Sequence, residues 1–188
     1  MERIETWDDY FIQISQLISE KSRDPSTKCG AVIVDPDNQI VSTGFNGFPR
    51  GVKETTHCAG YTPKNDFLSL VEVFNNHKEA LKHPKELLAE RWEKRPEKYD
   101  WVEHAERNAI YAAARMGAAT KGCKMYLNYN PECCTDCARA IIQAGIIEVI
   151  GPDIPFPGKG HGTGYTCTNS FTMFKEAGVK IRTFKQND

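Results

Sequence analysis

Two short motifs carry the residue types that hold a metal and move a proton. His104-Ala105-Glu106 opens one predicted helix, and Cys134-Thr135-Asp136-Cys137 opens another. A catalytic zinc site uses three protein ligands and leaves the fourth tetrahedral position for water; one His and two Cys supply that count. Thiolates at a helix N-terminus are stabilised by the helix dipole and free N–H groups, so they give up their protons readily. Neither motif is specific alone. A C-x-x-C pair also serves redox dithiols and structural zinc sites, and a first-turn Glu is favoured by the dipole whatever its function. Together they lie about 30 residues apart, each at a helix start beside a strand. That combination points to catalytic zinc held by His104, Cys134 and Cys137, with Glu106 carrying the proton.

The elements that must position these residues are legible around them. Trp7, Tyr10, Phe11, Ile14, Leu17 and Ile18 recur at helical spacing. The run 29–34 reads as a buried strand, 36–38 as a turn and 39–45 as a second strand, so the two form a hairpin. Helices are expected over 104–116, 135–144 and 170–177, with Gly145 and Gly178 ending the last two. Strands are expected over 124–129, 146–150 and 179–184. A hairpin followed by βαβ units implies an α/β fold, a three-layer α/β/α sandwich around a mixed five-stranded sheet. Residues 53–100 are polar and read as a helical insertion, with helices near 66–76 and 84–92, in a single domain spanning 1–188.

Composition narrows the function class. At 188 residues, 40% hydrophobic and 26% charged, the chain suits one well-packed globular domain. A net charge of −1 argues against a nucleic-acid-coating surface. No apolar run approaches the roughly 20 residues that span a bilayer, and the acidic N-terminus lacks a signal-peptide core. A cytoplasmic protein without a membrane partner is therefore expected. Seven cysteines, three of them within 133–137, favour metal binding over disulfides in such a compartment.

His104-Ala105-Glu106-Arg107-Asn108-Ala109-Ile110, with the Cys134–Cys137 pair and Ala138-Arg139-Ala140-Ile141, resembles the zinc-dependent cytidine/deoxycytidylate deaminase superfamily and its H-x-E…P-C-x-x-C signature. The resemblance covers residues 5–150 apart from the insertion and is nearest to the deoxycytidylate (dCMP) deaminases. It implies zinc-dependent hydrolysis of the amine of a cytosine nucleotide, with Glu106 taking a proton from water and passing it to the base. One departure is visible. The family's Pro directly precedes its first Cys, whereas here Pro131-Glu132-Cys133-Cys134 intervenes. Either Cys133 or Cys134 can then be the second ligand, and the spacing to Cys137 favours Cys134.

Substrate contacts follow from both sources. Arg115 lies 11 residues after His104, three turns plus about 20°, and leans back toward the helix start from about 16 Å along the axis. That geometry suits a phosphate held away from the metal. The resemblance places further contacts in the 22–28 loop, with Ser22, Arg23 and Lys28 toward phosphate and base. Gly44-Phe45-Asn46-Gly47-Phe48-Pro49 resembles the family's G-Y-N-G-x-P motif, in which Asn46 can bond a sugar hydroxyl. The family further implies dCTP/dTTP effectors and a homo-oligomer, often a hexamer. Within this reading the substrate is dCMP; other cytosine nucleotides or nucleosides, and a non-catalytic zinc-binding nucleotide sensor, are the alternatives.

Overall fold

The structure, a computed structural model, describes residues 4, 6–52, 98–154 and 169–184. The chain divides into two compact units, residues 1–47 with 102–188 and residues 48–101. The first holds helix α1 (Trp7–Ser19), strands β1 (Gly30–Val34) and β2 (Ile40–Phe45), α3 (Ala105–Met116), β3 (Lys124–Leu127), α4 (Thr135–Gln143), β4 (Glu148–Pro152), α5 (Ser170–Ala177) and β5 (Lys180–Phe184). The second is described at 48–52 and over the short helix α2 (Lys98–Trp101). The helices expected near 66–76 and 84–92, and so nearly all of the 53–100 insertion, lie outside the described residues.

The sheet runs β2-β1-β3-β4-β5, antiparallel at β2/β1 and β1/β3, and parallel at β3/β4 and β4/β5. This is the mixed five-stranded sheet expected. The β1–β2 turn is closed by Asp35, whose carboxylate accepts from the N–H groups of Asp37 and Gln39, while Asn38 takes the left-handed conformation its side chain tolerates.

β1 is buried along its whole length because both sheet faces are covered. Its side chains alternate between two cores. Ala31 and Ile33 join Met125, Leu127, Val149 and the inner faces of α3, α4 and α5, while Val32 and Val34 join Tyr126, Ile150 and α1 through Phe11 and Ile12. Among the described residues, α1 therefore covers one face, and α3, α4 and α5 cover the other. The metal-binding motifs sit at helix starts in that second layer.

Two strands differ from expectation by more than one residue. β3 ends at Leu127, because Asn128 turns its side chain onto the sheet, Oδ1 accepting from the Gly30 N–H at 2.7 Å. β4 spans 148–152 rather than 146–150, running through Gly151 and Pro152. Gly151 is no breaker here: a Cβ at that position would lie 2.1 Å from the Tyr129 carbonyl oxygen. Its missing side chain lets the segment after β3, the one that leads to Cys134, lie against β4.

Candidate metal and catalytic site

α3 is seated by β2. At Gly44 a Cβ would fall 2.3 Å from both the Ala105 carbonyl oxygen and the Ala109 nitrogen, so backbone packs directly on backbone there. Just beyond β2, Gly47 and Glu103 form an isolated antiparallel bridge with hydrogen bonds of 3.0 and 2.8 Å in the two directions. Asn108 donates from Nδ2 to the Phe45 carbonyl at 2.8 Å. These contacts fix where the helix begins, and His104 is its N-cap, with extended backbone. Glu106 follows in the first turn, 3% exposed.

α4 begins opposite. Cys134 is its N-cap, and its Sγ accepts from the Cys137 N–H at 3.5 Å. His104 Nδ1 stands 3.4 Å from Cys134 Sγ and 3.3 Å from Cys137 Sγ. All three ligand atoms lie within 4.8 Å of one another, the cluster able to hold a metal ion among the described residues. With Zn–S near 2.3 Å and Zn–N near 2.0–2.1 Å, a tetrahedral centre needs N···S edges of about 3.6 Å, close to those present. Cys133 is buried, and its Sγ donates to the Pro131 carbonyl at 3.4 Å, so it is turned away from the cluster.

The electrostatics fit a dication. Cys134 is brought down to about 4 by the hydrogen bond from Cys137, against burial, with His104 assisting. Cys137 is driven well up by burial and by its hydrogen bond with Cys134, with the Glu106 charge adding to both. A divalent ion at the site would let both sulfurs bind as thiolates. Burial works against a charged His104 ring, but Cys134 and Glu106 outweigh it and raise the pKa. Glu106 is also felt at Cys137 and Tyr129. The buried Glu106 side chain therefore lies close enough to act on His104 and Cys137 without belonging to the cluster. Arg107 pairs with Glu103, Nε to Oε1 at 2.5 Å, and reaches toward Asp136 at 4.0 Å, placing a cation beside both helix starts.

The other expected contacts are distributed differently. Arg115 is exposed in the last turn of α3. It lies nine residues, about 180°, around the helix from Glu106. His104 is an N-cap with extended backbone, so the helical rotation is counted from Ala105 rather than from His104. Lys28 is exposed and pairs with Glu20 at 2.8 Å, and Arg23 is exposed. Ser22 is buried, donating from Oγ to the Asn46 carbonyl and accepting from the Asp24 N–H. Asn46 is 5% exposed. Its Nδ2 donates to Asp24 Oδ2 at 3.1 Å and to the Thr27 carbonyl at 2.8 Å, while Oδ1 accepts from the Cys29 N–H at 2.8 Å. Sequence reasoning missed Asp24, the buried centre of this network. Its signal was an Asp-Pro pair ahead of a strand, which reads as an ordinary turn.

Comparison with known proteins places this arrangement. A family model described as MafB19-like deaminase matches residues 5–152. A deoxycytidylate deaminase of Mus musculus is 35% identical over 178 residues, covering 95% of this chain and 79% of that protein. The deoxycytidylate deaminase of Enterobacteria phage T4 is 35% identical over 153 residues, covering 74% of each. In fold the chain is similar to a dCMP deaminase of the cyanophage S-TIM5, solved with dCMP and dUMP, at a TM-score of 0.59 and 19% identity over 97% of this chain and all of that one.

Proposed function

The chain belongs to the cytidine/deoxycytidylate deaminase superfamily, within the MafB19-like deaminase family, and on that premise we propose that it hydrolyses deoxycytidine monophosphate to deoxyuridine monophosphate and ammonia. One observation carries the reading: a buried carboxylate, Glu106, set two residues from His104 where that ring meets Cys134 and Cys137. A purely structural metal site has no use for such a carboxylate.

His104, Cys134 and Cys137 would hold zinc, leaving one position open. Bound there, zinc would supply a water acidified to a pKa of about 7, a nucleophile at neutral pH. Glu106 takes the proton that this water releases and delivers it to N3 of the pyrimidine. After attack at C4, the same carboxylate takes the proton of the new C4 hydroxyl and passes it to the amine, so that the C4–N bond breaks, ammonia leaves and the C4 carbonyl forms. Its burial keeps bulk water from competing for that proton. Arg107 sets a positive charge beside the two thiolates and ties the starts of α3 and α4 through Glu103 and Asp136.

Asn46 is the expected partner of a sugar hydroxyl, and its hydrogen bonds leave one lone pair of Oδ1 to receive it. Regulation by dCTP and dTTP, assembly as a homo-oligomer such as a hexamer, and a cytoplasmic location belong to the same reading and rest on the family resemblance. No helix among the described residues is long and apolar enough to cross a membrane.

Ammonia release from dCMP, CMP, deoxycytidine and dCTP, each with and without dCTP or dTTP as effector, tests this. Preference for dCMP is expected. Turnover of the free nucleoside at or above the rate for dCMP would overturn the nucleotide assignment.

A further inference from the structure

The 22–28 loop and the end of β2 meet in a buried polar network built on one carboxylate. Asp24 is 4% exposed. Its Oδ1 accepts from the Ser26 N–H and hydroxyl, both at 2.9 Å, and from the Thr27 N–H at 3.2 Å. Its Oδ2 accepts from Asn46 Nδ2. Ser22 adds a bond to the Asn46 carbonyl, and the Asn46 N–H donates to the Cys29 carbonyl at 3.2 Å. Asn46 is thus held from five directions, and the next residue, Gly47, is bridged to Glu103, the residue before His104.

The chemistry of the partners fixes which way the Asn46 amide points. Asp24 Oδ2 and the Thr27 carbonyl are acceptors and require the NH2 end; the Cys29 N–H is a donor and requires the oxygen. Rotating the amide by half a turn would set two acceptors against an oxygen and a donor against an NH2 group, and in a buried site each mismatch is costly. Both Nδ2 hydrogens are used. What Asn46 has left is acceptor capacity on Oδ1, suited to a donor and useless to an acceptor.

We propose that Asp24 is a positioning residue for the deaminase site: through Nδ2 it locks the Asn46 amide in the orientation that presents Oδ1 as an acceptor to a hydroxyl of the substrate. This rests on the reading of Asn46 as a sugar contact. Asp24 is not a catalytic residue; its effect is transmitted through Asn46 and should therefore depend on the presence of that hydroxyl.

The test compares dCMP with 2′,3′-dideoxycytidine monophosphate, which lacks the sugar hydroxyl, in the zinc-loaded wild type and in Asp24→Asn. The substitution is isosteric but sets an NH2 group against Asn46 Nδ2, which removes the lock. The wild type should favour dCMP over the dideoxy compound by about tenfold or more in kcat/KM, and Asp24→Asn should lose most of that preference, chiefly through a higher KM for dCMP. Equal loss on both compounds would show that Asp24 only supports the fold and would overturn the inference. If the wild type fails to deaminate dCMP at all, the functional reading itself is wrong, which is a separate outcome. Should Asp24→Asn not fold, Asn46→Ser in the intact Asp24 background serves instead. Persistence of the hydroxyl preference in that variant would overturn the inference, and its collapse would support it.

Discussion

His104 Nδ1 and Cys137 Sγ stand 3.3 Å apart although 33 residues separate them in the chain. The sheet makes that meeting possible. β2 seats the start of α3 through Gly44, and β4 receives the segment before α4 through Gly151, so two helix N-termini converge on one point. The caps bring the sulfurs together: Cys134 accepts from the Cys137 N–H, and its pKa is brought down chiefly by the hydrogen bond with the Cys137 side chain, with His104 assisting.

Cys133 and Cys134 should separate cleanly by metal analysis. Cys133→Ser should keep one zinc per chain and activity within about threefold of wild type, since its Sγ engages Pro131. Cys134→Ser and Cys137→Ser should lose bound zinc and, with it, most activity, by about 100-fold or more. Chelation of the wild type should abolish ammonia release, and added zinc should restore it.

Gly44→Ala tests how α3 is seated. The new Cβ meets backbone atoms that cannot rotate away, so strand and helix must part. A loss of about 2–3 kcal/mol is expected. Urea denaturation would measure it, and reduced zinc retention should accompany it. Wild-type stability in the variant would show that the contact is not close-packed.

The ion pair between α1 and β5 should govern acid stability. Arg182 reaches Asp8 at 2.5 and 3.1 Å and Glu148 at 3.1 Å, and Tyr126 donates its hydroxyl to Asp8 at 2.9 Å. The Arg182 hydrogen bond outweighs burial and holds Asp8 below its ordinary 3.8. A carboxyl with a depressed folded-state pKa stabilises above its unfolded value, and that contribution disappears as pH falls through the folded value. Asp8→Asn should therefore cost about 1 kcal/mol at pH 7, allowing for the partial exposure of Arg182. The gap to wild type should stay level down to about pH 4 and close below it. A gap that widened in acid would contradict this assignment.

Much of this was legible in the residues because it depends on local rules. The metal motifs declare themselves by residue type, spacing and helix starts, and the five strands by apolar runs between turns. Less legible are the features that depend on what happens at the boundary between elements. A wheel counted from His104 runs through an N-cap that is not helical, so it does not fix the face that Arg115 takes. The strand expected over 146–150 runs on through Gly151, where the close approach of Tyr129, in the segment after β3, leaves no room for a Cβ. The roles of Ser22 and Asn46 as members of a buried network centred on Asp24 depend on hydrogen bonds across 17 to 24 residues, which spacing does not encode.

Glu106 is the residue on which the account turns, and the most direct measurement is ammonia release from dCMP by Glu106→Gln. The substitution keeps size and hydrogen bonding but cannot carry a proton. With one zinc per chain retained, turnover should fall by about 100- to 10,000-fold. Undiminished turnover in the zinc-loaded variant would contradict the assignment of Glu106 as the proton carrier.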